Sequence, residues 1–242
     1  MRKILVSDFK HYHKENGVKI ANAFDNLNGI VDQIKNSLKG TNCIVFIPSD
    51  PDNKDVVELY SSLLFEGLKL SSIVFDNYYI LDRLNVSKAE EYIKQADMIF
   101  LSGGSTYSQS EYFKSFNLKE LISAFDGLVV GQSAGAINMS KDAYNSPINL
   151  DESEPIYLEG LGLVDFNIEP HFVYDSSNFD EAELYQRESM LKESYKRVIY
   201  GQCDGSHVFV DDNDMVTVCG ETYVIKNGEI LLLCSNGEKV CL

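Results

Sequence analysis

Few backbone paths suit a chain that runs apolar, turns through Gly-x-Ser-x-Gly and leaves as a string of small residues. Leu128-Val129-Val130-Gly131-Gln132-Ser133-Ala134-Gly135-Ala136-Ile137 is such a stretch. The apolar run reads as a buried strand and the small residues as the start of a helix. The serine between them then sits on a tight turn with its hydroxyl exposed at the carboxyl end of a sheet, the layout of a nucleophile elbow. Gly131 and Gly135 are needed there because a side chain at either would collide across the turn or hold helix and strand apart. Ser133 is therefore the expected nucleophile.

A serine nucleophile requires a base, and the base requires an acid to orient it. Of four histidines, His171 in Ile168-Glu169-Pro170-His171-Phe172 is the expected base. His11 and His13 stand in a polar stretch and His207 opens a strand. Between Ser133 and His171 lies the acidic run Asn149-Leu150-Asp151-Glu152-Ser153-Glu154, which sets the order serine, acid, histidine. Upstream, Phe100-Leu101-Ser102-Gly103-Gly104-Ser105-Thr106 repeats the pattern of a strand followed by glycines. Gly103 and Gly104 are expected to complete an oxyanion hole with the amide of Ala134.

Taken together, Ser102-Gly103-Gly104-Ser105-Thr106, Gly131-Gln132-Ser133-Ala134-Gly135-Ala136, Pro170-His171-Phe172 and Cys203-Asp204-Gly205-Ser206 resemble the serine peptidase family of dipeptidase E (aspartyl dipeptidase) and cyanophycinase. The resemblance runs from about Lys3 to the C-terminal strands. It implies a class I glutamine-amidotransferase-like α/β fold in which serine replaces the elbow cysteine. It also implies hydrolysis of a peptide bond in a short, often acidic, substrate, without metal or other cofactor. Members of the family carry the acid a short way after the serine, which brackets Asp151 and Glu152. Asp151 is the expected acid, with Glu152 and Asp142 as the alternatives. Glu169 stands where dipeptidase E has a neutral amide. A preference for N-terminal aspartate calls for an arginine in the helix after the histidine. Arg187 is the candidate substrate-binding residue, but it is out of register and stands among Glu181, Glu183 and Glu188. The expectation is therefore an exopeptidase or dipeptidase whose side-chain preference is open. An esterase or amidase on the same constellation, and a catalytically silent small-molecule-binding homologue, are the other classes.

The net charge of −16 argues against nucleic acid and anionic membrane as partners, since both would be repelled. The expected partners are a short peptide and, for a homodimer, a second copy of the chain. No apolar run approaches the ~20 residues of a membrane-spanning helix, and Met1 to Asp8 reads as a first strand instead of a secretion signal. Five cysteines without a Cys-x-x-Cys pair fit reduced thiols in a cytoplasmic protein, and neither a disulfide framework nor a metal site is expected.

The 242 residues are expected to form a single α/β domain spanning residues 1–242. Apolar runs at Ile4–Val6, Cys43–Ile47, Ser72–Phe75, Tyr79–Leu81, Met98–Leu101 and Leu128–Val130 alternate with helical patterns, which predicts a mostly parallel, doubly wound sheet. The spacing of Ile20, Phe24, Leu27, Val31, Ile34 and Leu38 predicts one helix over 18–38. Further helices are expected over 56–67 and 87–95 and from Thr106 onward. Lys141–Pro155 reads as a polar connector. Beyond Val198, short strands separated by Asn227-Gly228, Asn236-Gly237 and similar turns predict antiparallel strands at the C-terminal end.

Overall fold

In a computed structural model of the protein, which describes residues 1–147 and 154–242, the expected parallel strands lie side by side. The chain runs β1 (Arg2–Val6), β2 (Tyr12–Glu15), β3 (Val18–Ala21), α1 (Ile30–Ser37), β4 (Cys43–Ile47), α2 (Lys54–Leu70), β5 (Asn77–Ile80), α3 (Ala89–Gln95) and β6 (Met98–Leu101). It continues through α4 (Thr106–Ser115), α5 (Leu118–Leu121), β7 (Leu128–Gln132), α6 (Ala134–Asn138), β8 (Asp142–Asn145), β9 (Ile156–Glu159), β10 (Asn167–Glu169) and α7 (Glu181–Glu193). The last strands are β11 (Ile199–Gln202), β12 (His207–Val210), β13 (Val216–Cys219), β14 (Thr222–Lys226), β15 (Glu229–Cys234) and β16 (Lys239–Cys241).

Strands β1, β7, β6, β4 and β5 pair in parallel in that spatial order, and β12, β13 and β16 extend the sheet antiparallel beyond β1. Every residue of β4 and β6 is buried, because layers cover both faces of the sheet. Ile4 and Val6 pack with Phe46, Phe100 and Val130 on one face, and Leu5 packs with Val45, Ile99 and Val129 on the other. A second sheet, β10-β11-β14-β15, pairs β10 and β11 in parallel and the rest antiparallel. It closes over a smaller core of Tyr144, Phe172, Met190, Ile199, Tyr223 and Ile225. The fold is α/β, mainly parallel at the centre, with antiparallel strands toward the C-terminus.

Three local expectations are corrected. Residues 18–38 do not form one helix. Asn16 and Gly17, both at positive φ (50° and 82°), close the β2–β3 hairpin, and only Ile30–Ser37 is helical. Asn-Gly suits such a two-residue turn, and Ile20 and Leu27 of the supposed stripe are exposed. Residues 72–75 are not a strand either. Ser72 takes a positive φ of 59° after α2, Ile73 and Phe75 are buried as irregular chain, and the edge strand is β5. In the supposed polar connector, Asp142–Asn145 forms β8, paired antiparallel with β9.

Candidate active site

Parallel neighbours end on the same side of a sheet, so the ends of β1, β7, β6 and β4 bring Ser7 and Asp8, Ser133, Gly103 and Gly104, and Ser49 together. Ser133 has φ 49° and ψ −112°, a conformation that costs a non-glycine residue about 1–3 kcal/mol. Its surroundings hold it there. Ser133 N donates to Val6 O at 2.9 Å. A Cβ on Gly131 would lie 2.7 Å from Ala136 N, and one on Gly135 would lie 2.2 Å from Leu101 O. The turn therefore closes only with glycine at both places. Behind it, Asn138 Nδ2 donates to Thr106 O and Gln109 Oε1, both at 3.0 Å, and ties the elbow to α4.

The glycine turn is held as firmly. Ser49 Oγ donates to Gly103 O at 2.7 Å, and Ser49 N donates to Ser102 Oγ at 2.9 Å. A trans peptide points Gly104 N–H opposite to Gly103 C=O, away from Ser49. Gly104 has φ 131°, and a Cβ there would lie 2.1 Å from Ser49 Oγ. A Cβ on Gly103 would lie 3.4 Å from Ser133 Cβ, so this turn borders the serine. Among the described residues, the Gly103, Gly104 and Ala134 amides have no hydrogen-bond acceptor.

His171 follows β10 and Asp204 follows β11. Because these strands are parallel, with Glu169 opposite Gly201, and Phe172 N donates to Gln202 O at 2.9 Å, the two side chains emerge as neighbours. His171 Nδ1 lies 2.8 Å from Asp204 Oδ1, and Nε2 lies 3.1 Å from Ser133 Oγ. A carboxylate only accepts, so Nδ1 carries the proton and Nε2 is left as an acceptor facing the hydroxyl. The hydrogen bond to Asp204 raises the imidazole pKa above its ordinary value against the opposing effect of burial. The bond with His171, and a second from Ser7, hold the Asp204 carboxyl below its ordinary value.

Asp151 and Glu152 lie outside the described residues. Asp142 is on β8, where its cavity neighbours are Lys196 and Arg197 and not Ser133. The carboxylate on Nδ1 belongs to Asp204, which sequence spacing did not single out. Its signal was the Cys203-Asp204-Gly205-Ser206 motif. Arg187, on α7, borders the cleft, but its guanidinium donates to Tyr174 O at 3.0 Å and sits over the Tyr174 ring. His207 is wholly buried with its pKa pushed down to about 3 by desolvation, and His13 bonds Asn22.

Two cavities meet at Gly104, Ser105, Ser133 and His171. One, of about 520 Å³, has Phe46, Val57, Leu64 and Phe100 among its apolar lining and Asp8, Asp50 and His11 among its polar groups. The other, of about 670 Å³, is bordered by Tyr107, Ser146, Glu169, Glu183 and Arg187. Among the described residues, no group of three or more His, Cys, Asp or Glu is placed to hold a metal ion. No helix among them is long and apolar enough to cross a membrane.

The fold is shared with solved structures of low sequence identity. A peptidase from an acI-B1 Actinobacterium matches with a TM-score of 0.67 at 15% identity, covering 100% of this chain and 96% of that one. A peptidase E candidate from Listeria monocytogenes EGD-e matches with a TM-score of 0.59 at 19% identity, covering 93% and 98%. The model of peptidase family S51 matches residues 20–225, a span that takes in the elbow, the glycine turn, His171 and Asp204. This chain belongs to peptidase family S51, a family of serine peptidases with the class I glutamine-amidotransferase-like fold.

Proposed function

We propose that the protein is an exopeptidase or dipeptidase that cleaves short peptides through Ser133, His171 and Asp204, without a metal. The observation that carries this reading is the continuous relay from Ser133 Oγ to His171 Nε2 at 3.1 Å and from Nδ1 to Asp204 Oδ1 at 2.8 Å. Ser133 attacks the scissile carbonyl while His171 takes its proton. Asp204 holds the reactive tautomer and stabilises the imidazolium, the part expected of Asp151. The oxyanion forms against the amides of Gly103, Gly104 and Ala134, fixed before substrate arrives and so costing no reorganisation. His171 then protonates the leaving amine, and water, deprotonated by the same imidazole, releases the acyl group from Ser133.

Cavities of about 520 and 670 Å³ that meet at Ser133 fit a substrate of a few residues. Ser133→Ala tests the reading. The variant should fold and lose at least ~10⁴-fold in kcat on a dipeptide panel. Retention of most activity would exclude a serine mechanism.

A further inference from the structure

Glu169 borders the larger cavity beside Ser133 and His171 but takes no part in the relay. It is the last residue of β10 and only 5% exposed. Its Oε1 accepts from Ser146 Oγ at 2.5 Å and from Gln186 Nε2 at 3.0 Å. Both donors are neutral. Its Oε2 is buried with no hydrogen-bond partner among the described residues.

Among the described residues no lysine or arginine pairs with this carboxyl, and His171, which stands near enough to act on it, is neutral until it takes the Ser133 proton. Arg187, which borders the same cavity, gives its guanidinium to the carbonyls after His171. The undescribed residues 148–153 read Ile-Asn-Leu-Asp-Glu-Ser and contain no lysine or arginine. A buried carboxylate without a counter-ion carries a desolvation cost of several kcal/mol, and burial pushes the Glu169 carboxyl up to about 7. Such an uncompensated group in a cleft marks a functional position. The charge it lacks is positive, and it lies in the cavity where substrate must sit.

We propose that Glu169 receives a protonated amine of the substrate, so that the cleft selects ammonium-bearing peptides. The assignment rests on the serine-peptidase reading of the cleft. An arriving ammonium gives the buried carboxylate a charge-assisted partner. A substrate carboxylate at the same place would be repelled, which turns the cleft away from acidic side chains there. The amine is supplied either by a free α-amino group or by a lysine side chain, and the two are separable.

The test compares wild type with Glu169→Gln, which keeps the shape and removes the charge. Four probes serve: alanine p-nitroanilide, N-acetylalanine p-nitroanilide, Nα-acetyl-lysine p-nitroanilide and the amine-free ester p-nitrophenyl acetate. Glu169→Gln should lose at least tenfold in kcat/KM, carried by KM, on a probe with an ammonium. On the ester and on the acetylated alanine probe it should change little. Loss on alanine p-nitroanilide identifies the α-amine as the source, and loss on the lysine probe identifies the side chain. Equal effects on all four probes, or none, overturn the proposal.

Calorimetry covers the case in which turnover is absent. Ser133→Ala is titrated with alanyl-leucine and with its N-acetyl form, with and without Glu169→Gln. At least tenfold weaker binding of the acetylated peptide, abolished by Glu169→Gln, supports the proposal even if the serine mechanism fails. Equal binding of the two peptides excludes the α-amine as the source, and equal binding of Nα-acetyl-lysyl-leucine and N-acetylalanyl-leucine as well overturns the proposal even if the serine mechanism holds. The comparison of free with acetylated peptide on Ser133→Ala alone does not depend on the folding of the glutamine variant.

Discussion

Ser7 Oγ donates to Asp204 Oδ1 at 2.8 Å and accepts the His171 backbone N–H at 2.7 Å. One wholly buried hydroxyl at the end of β1 thus ties the acid of the proposed relay to the backbone of its base. His171 needs such a tie, because its φ of 57° lies in the left-handed region that non-glycine residues seldom occupy.

Ser7→Ala removes both bonds and leaves the His171 amide to find another acceptor. A hydrogen bond to a charged group contributes about 1.5–3 kcal/mol, so kcat is expected to fall about ten- to a hundredfold. KM should change less than about twofold, since Ser7 borders neither cavity. Steady-state kinetics on a single peptide separate the two. A rise in KM with kcat intact would mean that Ser7 does not position the relay.

Asp204→Asn is expected to be the crippling carboxylate change, with a loss of roughly 10⁴ in kcat, as when the corresponding amide enforces the wrong imidazole tautomer. Asp151→Asn, Glu152→Gln and Asp142→Asn should each remain within about threefold of wild type. If Asp151→Asn instead matched Ser133→Ala, the acid assignment to Asp204 would be wrong.

How legible this site is in the sequence depends on the range of the interactions that build it. The elbow is local. Gly131, Ser133 and Gly135 lie on one turn, and the collisions that demand glycine involve elements next to it in the chain or in the sheet. Asp204 is different. Its approach to His171 follows from the pairing of β10 with β11, and nothing in the spacing of short strands announces that two of them run parallel. The acidic run at 149–154 lies nearer in sequence and drew the expectation there. The hairpin at 12–21 was hidden by a competing period. Ile20, Phe24 and Val31 mimic a helix stripe, while Asn16-Gly17 carried the true turn signal. Glu169 was visible as an acid next to Pro170-His171. Its burial, and an Oε2 without a partner among the described residues, are properties of the packing around it.

The relay also sets a pH response. Only neutral His171 can take the Ser133 proton, so kcat/KM should rise with pH through the His171 pKa. The Asp204 bond raises that pKa, and the wild-type midpoint should therefore lie above the ordinary histidine value of about 6.5. Asp204→Asn removes the largest raising interaction and leaves desolvation, which lowers the pKa, opposed by the lesser pull of Asp8 and Glu169. The midpoint of its residual activity should move to lower pH. A midpoint that stays fixed, or moves up, would contradict the coupling.

Gly135→Ala should destabilise the fold before it touches chemistry. Its Cβ would lie 2.2 Å from Leu101 O and 2.8 Å from Leu101 Cβ, and carbonyl and helix can separate only by moving α6 off β6. Overpacking of this kind costs about 1–3 kcal/mol, measurable as a lower urea midpoint. Gly17→Ala, where no atom lies within 4 Å of the added Cβ, should cost only about 1–2 kcal/mol, the price of its left-handed φ. Equal, negligible effects at both sites would show that the elbow tolerates a side chain at Gly135.

The most direct test of the central claim is mass spectrometry of the protein after exposure to a fluorophosphonate, with the adduct mapped by peptide sequencing. A serine activated by His171 should take up one phosphonyl group per chain at Ser133, with loss of peptidase activity in proportion to labelling. His171→Ala should abolish the labelling. Full peptidase activity in a protein whose Ser133 stays unmodified, or an inactivating adduct on another residue, would contradict the account.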